Sequence, residues 1–500
     1  GTAEERLYRE MNSVYLSLSL PTDKLILSYP RTGIGGGDRR PSFVVKRLKT
    51  MFSLTEQPVD DYAFRLSAPE PCFELAASAK SKPDSLTAAA AYEYISHSRE
   101  TAERLQSAAG ATDLSRGRLS GEAAAQLYGR ELTMSASRVD KFYACRYLYF
   151  LQYGLNAKPR KPAGFDAPTA GTFMHYILEN VTRDIKNGGG FGGVSEEQCR
   201  ALTEKYVAIY VRDVLHRFKD KTSRFRYLFN RLVGDASFVV LDMVSELKNS
   251  DFVPLDFELE FSDTGDIPPH LIADKGARLK VKGFVDRVDG WEHDGKLYLR
   301  VVDYKTGKKA FRLSDVWYGM NMQMLIYLFA LHKNGSGRYE RDIIPAAVLY
   351  APARDEIIPA SRNAEKAEID ALRLKRMRRS GLILCEESVI EAMEHGGGKK
   401  YLPVKLSKEG CFTGDSLAGL EQLGRLSSHI DKMLLQISGG IRKGSIDAEP
   451  YFKNENDNAC LFCDYKAVCR FSEKDGDSRR YLKKLDTDET WALIGKEAEA

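Results

Sequence analysis

Two short strands and the turn between them constrain this chain more than any other segment. They are Gly283-Phe284-Val285-Asp286-Arg287-Val288-Asp289 and Lys296-Leu297-Tyr298-Leu299-Arg300-Val301-Val302. Asp294-Gly295 separates them, a dipeptide that favours a tight hairpin because both residues tolerate positive φ. Alternate side chains of a strand share a face, so Leu297, Leu299 and Val301 line one side, which ends in Asp303 and Lys305. A carboxylate and an amine two residues apart, at the end of an apolar strand face, make a metal ligand beside a cation. Metal-assisted hydrolysis of a phosphodiester needs that pairing. Mg²⁺ or Mn²⁺ prefers carboxylate oxygens and keeps some of its waters. Asp286 and Asp303, from neighbouring strands, can hold such an ion against a phosphate, where it activates water and neutralises charge. Lys305 would orient the water or stabilise the developing negative charge. Alone, Asp-x-Lys is a common tripeptide that usually ends a solvated strand, so its partners decide its meaning.

Two further segments bear on it. Gly171-Thr172-Phe173-Met174-His175 opens a helical pattern in which His175, Leu178 and Glu179 share a face. In Asn321-Met322-Gln323-Met324-Leu325-Ile326-Tyr327, Gln323 and Tyr327 stand one helical turn apart. A lone His on a helix face, or a lone Gln/Tyr pair, is more often packing than chemistry. In this order, however, the four segments resemble the RecB-type nucleases of the PD-(D/E)XK superfamily. The resemblance implies an α/β, restriction-endonuclease-like fold, a mixed sheet flanked by helices. It also implies that His175, Asp286 and Asp303 bind the metal, that Lys305 is catalytic, and that Gln323 and Tyr327 help to position the DNA backbone.

The eight cysteines carry a second pattern. Cys460, Cys463 and Cys469 follow a Cys-x2-Cys-x5-Cys spacing, which in a chain without secretory features favours metal binding over disulfides. Cys145 is the candidate fourth ligand, at the end of a helix that Ser137 is expected to cap, with Asp140 in the capping-box position. Spacing alone favours zinc, because zinc sites made of four cysteines are common. One cysteine before the nuclease segments and three after them, however, is similar to the iron–sulfur staple of the AddB subunits of bacterial AddAB helicase–nucleases. That resemblance implies a [4Fe–4S] cluster on Cys145, Cys460, Cys463 and Cys469, with zinc as the alternative. Its role would be structural, holding the C-terminal segment over the nuclease. Cys72, Cys199, Cys385 and Cys411 are isolated and read as buried thiols.

The likeness to AddB extends to Ser135–Leu155, to Arg373-Leu-Lys-Arg376-Met-Arg-Arg379 and to Tyr401-Leu-Pro-Val-Lys405, and is weakest between residues 50 and 120. Cys145-Arg146-Tyr147 departs from the family's usual Cys-Pro-Phe but keeps the thiol. Near the N-terminus, Val14-Tyr15-Leu16-Ser17-Leu18-Ser19-Leu20-Pro21 and Lys24-Leu25-Ile26-Leu27-Ser28-Tyr29 resemble the final motif of UvrD-like helicases. Ser19-Leu20-Pro21 stands where an active helicase has Thr-Arg-Ala, and no Gly-x4-Gly-Lys-[Ser/Thr] loop occurs, so no ATP hydrolysis is expected. The expected organisation is a degenerate helicase remnant (1–50), a helical connector (51–130) with an Ala-rich stretch near 82–109, the nuclease domain with its cysteine staple (131–475), and a charged tail (476–500) that ends as a helix. A start at Gly1, and the greater length of the family's subunits, suggest a chain that begins inside the helicase half.

With 43% hydrophobic residues in 500, the chain can bury a large core, and a net charge of +4 excludes a generally basic nucleic-acid binder. Any DNA path must be local. Arg373, Lys375, Arg376, Arg378 and Arg379 form the densest basic cluster, followed by Lys399, Lys400 and Lys405. No apolar run reaches the length of a membrane span, and a reducing cytoplasm suits the thiols. The function expected by resemblance is a Mg²⁺- or Mn²⁺-dependent exonuclease domain of an AddB-like subunit. It would pair with an AddA-like helicase–nuclease and process linear double-strand ends for recombination, taking a single strand into the nuclease channel and cutting the strand that ends 5′ at the break. Two alternatives stand beside it: an inactivated nuclease fold serving as a DNA-binding scaffold, and a stand-alone iron–sulfur exonuclease.

Overall fold

A computed structural model describes the chain except for residues 1, 32–38, 57–64, 80–84, 111–115, 160–166, 216–221, 275–276, 308–309, 356–357, 359–364, 398–399 and 500. It comprises two compact units, Gly1–Asp113 and Leu114–Ala500. The first is helical. Ala3–Ser19 starts from a capping box between Thr2 and Glu5 and buries none of its residues. Residues 24–29 have no regular structure. The Ala-rich stretch forms two helices, Leu86–Ser96 and Arg99–Gly110, and packs with Pro69–Ala77 around Leu75, Ala76, Ala88, Ala91 and Leu105. Lys82 and Pro83, expected to open that stretch, lie outside the described residues.

The second unit is built on an eight-stranded mixed sheet. Its strands are β1 (Leu132–Ser135), β2 (Val253–Phe261), β3 (His270–Asp274), β4 (Ala277–His293), β5 (Lys296–Lys305), β6 (Asp342–Pro352), β7 (Ser380–Leu384) and β8 (Leu417–Ala418). The long β4 organises it, pairing antiparallel with β2, β3 and β5 and parallel with β1. From β5 the sheet continues through parallel β6, antiparallel β7 and parallel β8. The hairpin forms as expected, with Asp294 at φ 48 and Gly295 at φ 74, the positive pair a two-residue turn requires. Parallel β6 returns through a crossover that contains a helix (Gln323–Asn334), whose eight consecutive residues from Met324 to Leu331 are all buried. A helix apolar all round belongs inside a core.

Helices cover both faces. On one side lie α1 (Ala136–Ala144), α5 (Gln323–Asn334) and α6 (Leu420–Arg442); on the other lie α2 (Ala167–Asn187), α3 (Glu196–Asp213) and α4 (Ser223–Lys248). The C-terminal helix α7 (Thr487–Glu499) forms where a terminal helix was expected, and it docks on α6 with Thr490 and Ile494 buried. The expected cap of α1 does not form. Ser135 takes the N-cap position without a side-chain bond, and Ser137 lies inside the first turn with its hydroxyl 2.9 Å from that of Ser135. Two serines compete there, and β1 runs directly into the helix, which sets the helix start two residues early.

Between the sheet and α4 lies a buried charge cluster. Arg287 of β4 and Arg300 of β5 are 1% and 0% exposed. Both bind Asp289, Arg287 through Nη2 at 2.9 Å and Arg300 through Nε at 2.7 Å. Glu246 of α4 stands 3.8 Å from each and accepts a 2.7 Å bond from Arg379, which also holds Asp242 at 2.6 Å. Burial raises the Glu246 carboxyl, but the three guanidinium groups outweigh it and hold the pKa at about 2. A folded-state pKa depressed this way adds stability that is present above the ordinary carboxylate range and disappears as pH falls toward about 2.

Removing one partner leaves uncompensated buried charge, so Arg300→Met is expected to lower stability by about 3–5 kcal/mol. Arg200→Met breaks only an exposed pair with Glu196 and should cost less than about 0.5 kcal/mol. Urea denaturation at neutral pH checks both. Repeated near pH 3, it should show wild type losing stability while the difference between wild type and Arg300→Met narrows.

Candidate metal centre

Three ligand groups converge beside the end of β5. His175 of α2 places Nδ1 3.3 Å from Asp286 Oδ1 of β4 and 3.7 Å from Glu258 Oε1 of β2. Among the described residues these three form the one group of metal-ligating side chains whose ligand atoms all lie within 4.8 Å of one another. Burial opposes charge on the imidazole, but the Asp286 and Glu258 carboxylates prevail and raise its pKa to about 10. Leu178 and Glu179 line the same small cleft, so the helix face expected around His175 is present. The helix itself starts earlier, at Ala167.

Glu258 escaped the sequence analysis. The pairs Phe257–Arg287 and Leu259–Val285 flank it, which sets it opposite Asp286. Its φ of 49 is a left-handed conformation rare for a non-glycine residue within a strand and concentrated at functional sites. In sequence, Asp256, Glu258 and Glu260 alternate identically. The fold separates them, since Asp256 is engaged by Arg338 and by the Tyr339 hydroxyl.

Asp303 and Lys305 sit next to this group. Asp303 is 4% exposed, and Lys305 Nζ lies 2.5 Å from its Oδ2. The intervening Tyr304 faces α4, and its backbone N–H donates to Asp286 Oδ2 at 2.7 Å, joining the two strand ends. Asp303 is thus adjacent to the three-ligand group without being one of its members. Gln323 and Tyr327 open α5, as their one-turn spacing predicts. Tyr327 is 3% exposed and stacks on Phe261 with ring centres 5.2 Å apart. Its hydroxyl is bonded to the Gln323 side chain and the Phe284 backbone, and burial pushes its pKa up. Its ring therefore lies buried against β2 and the start of the Gly283–Asp289 stretch of β4. Gly283 makes room for it, because a Cβ there would lie 1.8 Å from the Tyr327 oxygen.

A cavity of about 880 Å³ opens beside Lys305, lined by eight Lys or Arg side chains against four carboxylates. Helix α1, the loop after β5 and the segment around residues 373–378 supply its walls. The basic cluster read from sequence divides. Arg373, Arg376 and Arg378 reach the cavity, with Arg373 bonded to Asp355. Arg379 instead belongs to the buried charge cluster, and Lys375 is exposed elsewhere. Lys400 bonds Ser245, Lys405 is exposed on a two-residue strand, and Lys399 lies outside the described residues. Lys141 and Arg312, which sequence did not single out, line the cavity, are exposed, and make no ion pair among the described residues.

Cys145, Cys460, Cys463 and Cys469 surround one small cavity whose other walls include Leu148, Leu151, Ala448, Pro450 and Phe471. Burial raises the Cys145 thiol to about 11, while the backbone N–H groups of Leu148 and Tyr147 act the other way, favouring the thiolate. Of the other four cysteines, Cys72 and Cys199 are buried as expected, but Cys385 and Cys411 are exposed. Cys385 follows β7, just beyond its last residue, and Cys411 lies in a hairpin outside the large sheet.

The sequence profile described as the PD-(D/E)XK nuclease superfamily matches residues 133–470, which include the large sheet, both acidic strand ends and all four clustered cysteines. The chain belongs to this superfamily. This PD-(D/E)XK chain is also similar to proteins named as the B-type subunit of an ATP-dependent helicase/deoxyribonuclease. That of Clostridium acetobutylicum is 30% identical over 97% of the chain, that of Clostridium tetani 29% over 98%, and that of Thermoanaerobacter sp. strain X514 30% over 98%. In each case the chain spans 44% of the relative's length. The likeness to AddB is thus shared along nearly the whole chain, and the mixed sheet flanked by helices is the fold that the motif order implied. No helix among the described residues is long and apolar enough to cross a membrane.

The fit between Gly283 and Tyr327 makes a direct test of the site's floor. Gly283→Ala must displace Tyr327, and overpacking of this kind costs about 1–3 kcal/mol. Thermal melts should show that loss, and the Tyr327→Phe variant combined with Gly283→Ala should recover part of it.

Proposed function

We propose that this chain is a divalent-metal-dependent deoxyribonuclease domain that degrades DNA from an end. The observation that carries the proposal is the convergence of His175, Glu258 and Asp286 beside the Asp303–Lys305 pair, of which Lys305 lines a basic cavity. These three side chains would hold Mg²⁺ or Mn²⁺, with Asp303 as the further carboxylate of the set; the donors are hard oxygens and one imidazole. The ion, when bound, supplies an acidified water and neutralises charge on the scissile phosphate. Lys305 then presents an ammonium donor to the attacking water or to the phosphate oxygen. Tyr304 fixes the Asp286 carboxylate through its backbone N–H, and Gln323 and Tyr327 position the strand ends from below. Lys141, Arg312 and the Arg373–Arg378 wall would follow a single strand's phosphates, a sequence-independent and salt-sensitive grip.

In this account the domain serves an AddB-like subunit that works with an AddA-like helicase–nuclease in the cytoplasm on broken DNA ends for recombination. Residues 1–50 are then a helicase remnant, without ATPase activity. The cysteine set would carry a [4Fe–4S] cluster. Among the described residues, no three of these sulfurs are as close as 4.8 Å to one another. Sulfurs that share one zinc stand about 3.8 Å apart, given a Zn–S bond near 2.3 Å. A cluster needs wider spacing, because each thiolate binds a different iron. The largely apolar wall suits such a group.

End-labelled linear single-stranded DNA, incubated with Mg²⁺, should be degraded by wild type. Asp303→Ala, Glu258→Gln and Lys305→Ala should each slow the reaction by about a hundredfold or more, the scale of losing one charge-stabilising group. Binding without cleavage by wild type, alone and with an AddA-like partner, would favour a scaffold instead. For the cysteine set, anaerobically purified protein should contain iron and sulfide, and Cys145→Ala should lose both. Zinc in place of iron would reverse that assignment.

A further inference from the structure

Residues 116–120 take no part in the large sheet or in the strand-end site, yet they are fastened to the cysteine cavity. Arg116 supplies the fastening. Its Nε and Nη2 donate to the two carboxylate oxygens of Asp477, each at 2.7 Å. The same Nη2 donates to the Cys469 carbonyl at 2.8 Å and stands 3.7 Å from Cys469 Sγ. The guanidinium lies 4.1 Å from the ring centre of Tyr147, which lines the cavity. Both partners are nearly buried, Arg116 at 9% and Asp477 at 5% side-chain exposure. Asp477 also accepts the Ser472 N–H at 3.0 Å, closing the loop that follows Cys469. Further along, the Leu119 N–H donates to the Gly444 carbonyl at 3.0 Å.

A bidentate pair with Asp477 balances the charge of Arg116 but engages only two of its five N–H donors. Its contact with the cysteine sulfur calls for a separate reason. Four thiolates around an iron–sulfide core leave net negative charge in a largely apolar cavity, and buried charge is costly unless paired. Lys466 and Arg479, which act on Cys460, are exposed, and the half-buried Arg480 acts on Cys145. Arg116 is the cation that reaches Cys469, and its planar fork can hold a carboxylate and a thiolate together.

We propose that Arg116 is a positioning residue for the thiolate set. It compensates ligand charge at Cys469, clamps the Cys469–Asp477 loop, and makes the anchoring of residues 116–120 depend on the cluster. Loss of the cluster therefore loosens the segment that follows the helical first unit, as well as the C-terminal cysteine loop. This inference rests on the iron–sulfur reading above.

The test uses the full chain purified without oxygen, as wild type, Arg116→Gln, Arg116→Lys and Asp477→Asn. Three readouts apply: cluster loss to an iron chelator followed by colour, the midpoint potential from an EPR-monitored titration, and tryptic cleavage after Arg118. Arg116→Gln should lose its cluster roughly tenfold faster, since a charge-assisted hydrogen bond is removed. Its potential should fall, because reduction adds negative charge where a cation is missing. Arg116→Lys should restore most of the potential. Asp477→Asn, which keeps the cation, should leave the potential near wild type while exposing Arg118 to trypsin. In wild type, Arg118 should be protected until the chelator removes the cluster. A wild-type cluster whose potential and lifetime are unchanged in Arg116→Gln would overturn this inference alone. A wild-type chain without iron would overturn the iron–sulfur reading, and this inference with it.

Discussion

The buried charge cluster under β4 and β5 is the constraint on which the rest of the site depends. Arg287 and Asp289 face α4 from β4, and Arg300 does so from β5, where Glu246 and Arg379 complete the set. Such a cluster adds little net stability compared with a well-packed apolar core. Its effect on register is much larger. A slip of one residue in either strand exchanges its two faces. A slip of β4 would turn Arg287 and Asp289 together away from Arg300 and Glu246, and Asp286 into the space beneath α4. The cost of unpaired buried charge excludes that register, so the cluster holds Asp286 opposite Glu258 and against the end of β5.

The site follows from that lock. In the proposed account adjacent residues on each strand serve opposite purposes: Arg287 and Tyr304 are structural, while Asp286 would be a ligand and Asp303 and Lys305 would do the chemistry. Tyr304 joins the two roles, because its hydroxyl accepts from Arg287 at 2.6 Å while its backbone N–H holds Asp286. On the other face, the close approach of Tyr327 to Gly283 lets α5 support the same strand ends. Charge above the sheet and a tight aromatic fit below it leave the acidic ends little freedom.

Much of this was legible in the sequence where a local rule governs the outcome. The Asp294-Gly295 turn, the strand pair it joins, the α2 face of His175 and the start of α5 at Gln323 all follow from turn chemistry and periodicity. What was not legible depends on tertiary contacts. Glu258 is one of three alternating acids, and only the capture of Asp256 by Arg338 and the left-handed backbone at Glu258 distinguish it. Arg379 looked like its basic neighbours, yet two acids of α4 draw it inward. Cys385 and Cys411 are small and apolar enough to be read as core, but they fall just past the end of β7 and in an outlying hairpin. Ser137 lost the cap position because β1 continues straight into α1.

The most direct measurement of the central claim is the anomalous difference density of Mn²⁺ in a crystal of this chain. The account predicts one strong peak coordinated by His175, Glu258 and Asp286, at the end of β5 and within reach of Asp303. A peak held by Asp303 without His175 or Glu258, or Mn²⁺ bound only away from the β4–β5 strand ends, would contradict it.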